Sequence, residues 1–207
     1  MKQIIGFALA LTLTLGLAIA AIAAGKTGSI SGSVDPKFLK RSDVLVYIDK
    51  VDGAFPTKDA EIDQMKLTFI PRITPIVVGS TIIYKNSDDV NHNVNSPDNE
   101  GYDLGVRPKG VAVKHVFGKT GVYTQLCNVH PEMCAYVVVL QNPFWASVKK
   151  DGDGAFTITN VPAGKYSLKI WGEGLKKKDF DLATPVAVES GKAAAVSIVK
   201  PKKEEAK

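Results

Sequence analysis

The stretch Cys127-Asn128-Val129-His130-Pro131-Glu132-Met133 constrains this chain more than any other. A thiol, an imidazole and a thioether fall within seven residues. The run Gly121-Val-Tyr-Thr-Gln-Leu126 precedes them and Ala135-Tyr-Val-Val-Val-Leu140 follows. Both runs are rich in β-branched and aromatic residues, so the stretch reads as a short loop between two strands. Such a loop can aim three side chains at one point. A fourth donor must come from elsewhere, and the candidate is His92 in Asn91-His92-Asn93-Val94.

Thiolate, imidazole and thioether are soft or borderline donors and suit copper better than any hard cation. Two His and one Cys with a weak axial Met form the electron-transfer type of copper site. The expected ligands are therefore His92, Cys127 and His130 in the plane and Met133 on the axis, around one type 1 copper. Competing readings remain. Cys127 and Cys134 could form a disulfide in an exported chain, which leaves His92, His130 and Met133 without a role. The histidines could be loop residues with no metal. Zinc could use Cys and His, but structural zinc prefers a closed set of thiolates and imidazoles, and Met is a poor ligand for it.

His92-Asn93-Val94, followed by the Gly-x-Tyr-x-x-x-Cys-x-x-His-x-x-Met pattern from Gly121 to Met133, resembles the cupredoxin family. The short Cys-x-x-His-Pro-x-Met loop is most similar to that of amicyanin, while plastocyanin usually has a longer gap before the Met. The likeness spans roughly Met65 to Leu140 and includes the strand Val78 to Asn86. It implies a Greek-key β-sandwich, a blue copper centre, outer-sphere single-electron transfer and no enzymatic turnover. It also implies that the Asn93 backbone N–H bonds the Cys127 sulfur and that the exposed edge of His130 is the electron port. The six residues between Cys127 and Cys134 do not match the spacing of binuclear purple copper centres. Three histidines are too few to build the extra copper sites of a multicopper oxidase or a copper nitrite reductase.

Residues 1–23 read as a signal peptide, with Lys2, an uncharged apolar run from Ile4 to Ile22, and Ala21-Ile22-Ala23 as a small-residue cleavage site. The expected location is secreted or periplasmic. Contact with a membrane follows only if this segment stays uncleaved, since the run is nearly long enough to span one. The net charge of +5 is scattered, with no basic stripe interleaved with aromatics, which argues against nucleic acid as a partner. The expected partners are redox proteins of unknown identity.

Beyond Leu140 the pattern Asp153-Gly-Ala-Phe156-Thr-Ile-Thr-Asn160-Val-Pro-Ala-Gly-Lys-Tyr166-Ser-Leu168 resembles the carboxypeptidase regulatory-like module, a small transthyretin-like β-sandwich. Such a module normally starts with a Gly-x-Ile-x-Gly-x-Val strand. That strand is absent after Leu140 and present at Gly28 to Val34, with an apolar strand at Val44 to Ile48. The expected organisation is all-β, with a cupredoxin domain over 57–140, a second sandwich over 141–200 completed by 25–52, and a disordered tail at 201–207.

Met65 to Ile70 is expected as a strand, Ser96 to Gly110 as loop, and Asp103-Leu-Gly as a turn. Asp151-Gly-Asp-Gly lacks the acidic ligands of a calcium loop and reads as a tight turn. His115, on an apolar strand face, reads as a structural histidine. Cys134 is left as an odd thiol that could be inert, bind a second metal, pair with another chain or displace Met133. Two other functions stay open: an exported copper carrier or storage protein, and a non-catalytic surface β-sandwich protein.

Overall fold

The computed structural model describes residues 27–150 and 152–201. The signal-peptide segment 1–23, Asp151 of the turn and the tail beyond Pro201 lie outside these residues. Among the described residues no helix is long and apolar enough to cross a membrane.

The chain is built from strands. In order they are β1 (Thr27–Val34), β2 (Val44–Ile48), β3 (Ala60–Gln64), β4 (Phe69–Ile70), β5 (Ile73–Val77), β6 (Thr81–Asn86), β7 (His92–Ser96) and β8 (Tyr102–Arg107). There follow β9 (Val113–Val116), β10 (Gly121–Leu126), β11 (Cys134–Leu140), β12 (Trp145–Val148), β13 (Ala155–Pro162) and β14 (Gly164–Trp171). One helical turn, α1 (Lys177–Phe180), precedes β15 (Thr184–Val188) and β16 (Ala193–Ile198). The fold is all-β, as the residue pattern predicts.

Two sheets enclose the first core, in the orders β4-β3-β6-β9 and β5-β11-β10-β7-β8. Alternating residues of β3 and β6, among them Ile62, Ile82 and Tyr84, meet Tyr123, Ala135, Val137 and Val139 from the other sheet. Cys127 and Met133 belong to the same buried cluster. A second pair of sheets has the orders β13-β1-β16 and β12-β2-β14-β15. Both N-terminal strands therefore lie in sheets made mostly of C-terminal ones. β1 runs antiparallel to β13 and parallel to β16, while β2 lies between β12 and β14. Gly32 permits the crowding of β1 between its neighbours: a Cβ there would run into the Val196 carbonyl and sit 3.0 Å from the Phe156 ring.

The run Tyr136-Val-Val-Val-Leu140 has no polar residue on either face, because β11 is covered on both. Ala135, Val137 and Val139 face the first core, while Val138 and Leu140 meet Leu45 and Trp171 of the second sandwich. A strand buried on both faces reads as a continuous apolar run rather than an alternating one. β2 behaves in the same way, with Val44, Val46 and Ile48 in the second core and Leu45 at the joint.

Two local expectations fail. Met65 to Ile70 is mostly turn: Lys66 and Leu67 adopt positive φ values of 56° and 55°, and only Phe69–Ile70 is strand. The Asp88 carboxylate accepts both of their backbone N–H groups, at 2.6 and 2.9 Å, and so supports this conformation. Ser96 to Gly110 contains a full strand, β8, with Asp103 inside it rather than in a turn. Gly105, at φ 74°, and a register irregularity between Asn93 and Asn95 disguise its alternation.

Candidate metal centre

β10 and β11 are antiparallel and end at the pair Leu126↔Cys134, so residues 127–133 are the loop that joins them. The loop folds back on itself through a 3.0 Å bond from the Met133 N–H to the His130 carbonyl. Cys127 and Met133 are thereby buried (3 % and 1 % exposed), whereas His130 is half-buried beside the exposed Val129. His92 opens β7, the next strand in the sheet, and is fully buried.

The His92 and His130 Nδ1 atoms lie 3.0 Å apart. The Cys127 sulfur lies 3.9 Å from the first and 4.0 Å from the second. Taking zinc as a guide, with about 2.0 Å to nitrogen and about 2.3 Å to sulfur, one ion can touch all three only if N–N is under about 4 Å and N–S under about 4.3 Å. The three donors satisfy both limits. Of the described residues, these three form the group of His, Cys and carboxylate side chains able to hold one metal ion. Both cysteines are free, with Cys127 buried and Cys134 half-buried at the start of β11, so the alternative disulfide is absent from this structure.

Neighbouring groups orient Cys127 and His92. The Asn93 backbone N–H points at the Cys127 sulfur from 3.4 Å. The Asn93 side chain ties the two ligand segments together: its carbonyl oxygen accepts the Asn128 N–H at 3.3 Å and its amide donates to Asp103 at 2.6 Å. Asn95 bridges the same segments by donating to the Leu126 carbonyl and to the side chains of Asn93 and Asn128. On the far side of His92, Nε2 lies 2.9 Å from Asp88 Oδ2. Burial works to raise the Asp88 pKa. The Leu67 N–H, the His92 ring and the Lys66 N–H together outweigh it and hold the carboxyl below its ordinary range.

The residue pattern alone singles out neither Asp88 nor Asp103. Asp88 carries a usable signal, four residues before His92 in a polar loop. Asp103 carries none, since its strand is disguised. His115 sits away from the centre, stacked on Tyr102 with ring centroids 3.8 Å apart and edge-on to Phe117. Cys134 donates nothing to the cluster. Its carbonyl accepts an N–H from Arg72 at 2.9 Å.

Residues 119–196 match the family described as polysaccharide lyase family 4, domain II. This stretch starts within the first sandwich, and the matched family differs from the carboxypeptidase regulatory-like module that residues 153–168 resemble. No curated protein is matched. Among solved structures the chain is similar to a purple cupredoxin from Nitrosopumilus maritimus, at 29% identity over 39% of this chain and 99% of that one, with a TM-score of 0.37. It is also similar to the reduced form of a tryptophan-to-tyrosine variant of amicyanin, at 26% identity over 44% and 86%, with a TM-score of 0.37. A copper-containing nitrite reductase from Thermus scotoductus shares 21% identity over 47% of this chain and 26% of that one, with a TM-score of 0.39. These three neighbours are thus two cupredoxins and one copper enzyme, each matching less than half of the chain.

Proposed function

We propose that this chain is an exported type 1 copper protein that transfers single electrons. One observation carries the reading: His92 Nδ1, Cys127 Sγ and His130 Nδ1 converge within 4.0 Å of one another at the end of a β-sandwich. Met133, buried in the same loop, would offer its thioether as a fourth, weak donor. The donor set is the one that binds both Cu(I) and Cu(II) without a preference for hard-cation geometry. Bound copper supplies the redox couple. The protein's part is to keep the donors still, and the hydrogen bonds of Asn93, Asn95 and Asp88 serve that end. A site that moves little between oxidation states exchanges electrons quickly.

His130 is the electron port in this reading, because it alone of the three donors reaches the surface. The partners are redox proteins, and the compartment is the periplasm or the exterior. The rival class is a copper carrier. Voltammetry of the copper-loaded protein, together with a challenge by a Cu(I) chelator, separates the two. An electron carrier gives a reversible one-electron couple and keeps its metal. Irreversible voltammetry with rapid loss of copper to the chelator would assign the chain to metal delivery.

A further inference from the structure

The two sandwiches do not close completely against each other. A cavity of about 820 Å³ opens at their joint, within the size range of small-molecule sites and in the kind of place they favour. Its walls carry Arg41, Arg72, Lys149 and Lys150 against two carboxylates, Asp43 and Glu173. Both carboxylates are already engaged. Asp43 takes Lys149 Nζ at 2.7 Å and the Lys150 backbone N–H at 3.1 Å. Glu173 takes Arg72 through two bonds of 2.6 and 2.8 Å. Arg41 and Lys150 form no ion pair with another described residue. Arg41 is held over the cavity edge because Gly174 has no side chain, and its stem fills the space a Cβ there would need. Ile70, Pro71 and Ile73 add apolar lining.

We propose that this cavity binds a small dicarboxylic acid, one carboxylate taken by Arg41 and Lys150 and its short body lying against the lining of Ile70, Pro71 and Ile73. Glu173 shows the chemistry in place, as a carboxylate seated two-pronged on a guanidinium of the same cavity. Occupancy is felt at the metal centre. Arg72 bonds Glu173 on the second sandwich, and its Nη1 donates to the carbonyl of Cys134, the residue directly after Met133. The Arg72 carbonyl also accepts the Tyr136 N–H at 2.8 Å. The second carboxylate of a dicarboxylic acid, competing with Glu173 for Arg72, would therefore act on β11, the strand that begins directly after Met133. This coupling rests on the proposed copper function, whereas the cavity itself does not.

The test uses succinate at constant ionic strength, with succinamide as the uncharged control, on the purified mature chain. Calorimetric titration of the metal-free protein is expected to show saturable binding of succinate alone. An Arg41→Gln/Lys150→Gln variant, altered only at exposed positions, is expected to bind about tenfold more weakly with an unchanged melting temperature. Absence of saturable binding, or equal binding by the double variant, overturns the site. Binding of a tetraglutamate peptide but not of succinate overturns the small-acid assignment and gives the cavity to an acidic side chain of a partner. In the copper-loaded protein, succinate is expected to shift the reduction potential, and Glu173→Gln is expected to shift it without succinate. A potential that ignores both overturns the coupling. If the chain holds no copper the coupling falls with the proposed function, and the metal-free titration still decides the cavity.

Discussion

Asp88 Oδ2 lies 2.9 Å from His92 Nε2, on the side of the imidazole opposite Cys127. The carboxylate fixes the tautomer: with the proton on Nε2, Nδ1 presents its lone pair towards His130 and Cys127. Such outer partners orient a ligating histidine and raise its basicity. Asp88 is itself held by two backbone N–H groups of the Lys66–Leu67 turn, so the orientation is set by three segments of chain.

Replacing Asp88 with Ala is expected to weaken metal binding by roughly 10–100-fold. It also leaves the buried Nε2–H without a partner, at a cost of about 1–3 kcal/mol. Competition with a chromophoric chelator checks the affinity, and urea unfolding of the metal-free protein checks the stability. Asp88→Asn, which can still accept the proton through its amide oxygen, is expected to fall between wild type and Ala.

Asp103 joins the two ligand segments from outside. Its Oδ1 accepts the Asn93 amide at 2.6 Å and the Gly105 N–H at 2.7 Å, and its Oδ2 accepts the Asn128 amide at 3.3 Å. Asp103 is exposed, so Asp103→Ala is expected to lower stability by only about 0.5–1.5 kcal/mol, the net worth of an ordinary hydrogen bond. It is further expected to broaden the copper EPR signal, because Asn93 also positions the N–H on the sulfur. An unchanged spectrum in a destabilised protein would confine Asp103 to a structural role.

His115 gives the protein a pH dependence apart from the metal centre. Burial against Tyr102 and Phe117 lowers its pKa, and the Glu100 carboxylate opposes this only in part. A lowered histidine is neutral in the folded state while the unfolded chain takes up a proton near pH 6.5. Its contribution is therefore complete above about pH 6.5 and is lost as the pH falls towards the lowered folded value. His115→Phe keeps the ring and removes the titration. The melting-temperature difference between wild type and variant is expected to move against wild type from pH 7.5 to pH 5. A difference that is flat with pH would contradict this.

The strand pairings also predict how the chain can be cut. β1 is the central strand between β13 and β16, and β2 lies between β12 and β14. We propose the two sandwiches as separate folding units, with the second interrupted by the first. A fragment of residues 141–207 is then expected to stay unfolded, because it lacks Ile30, Val34, Val44, Val46 and Ile48 of its core. A fragment of residues 57–140 is expected to fold but to expose Val138 and Leu140, and hence to self-associate. Circular dichroism and sedimentation of the two fragments check this. A folded 141–207 fragment would contradict the proposal.

What can be read from the sequence follows from chemistry that is local along the chain. The order of His92, Cys127, His130 and Met133 needs only donor types and a loop between two strands. The apolar runs at Val44–Ile48 and Tyr136–Leu140 announce buried strands. They cannot say that both faces are covered by different sandwiches, since that depends on where Leu45 and Trp171 end up. β8 is hidden by Gly105 and by the irregular pairing at Asn93–Asn95, and Asp103 is hidden with it. The turn at Lys66–Leu67 reads as strand because its positive φ values are stabilised by Asp88, some twenty residues away. Arg72–Glu173 is likewise invisible, because 101 residues separate the partners.

The most direct measurement is a Cu(II) titration of the purified mature protein followed by visible absorption and EPR, with Cys127→Ser in parallel. A type 1 centre predicts one copper per chain, an intense thiolate-to-copper band with narrow hyperfine splitting, and neither feature in the variant. A colourless protein without free thiols, or a spectrum that Cys127→Ser leaves unchanged, would contradict it.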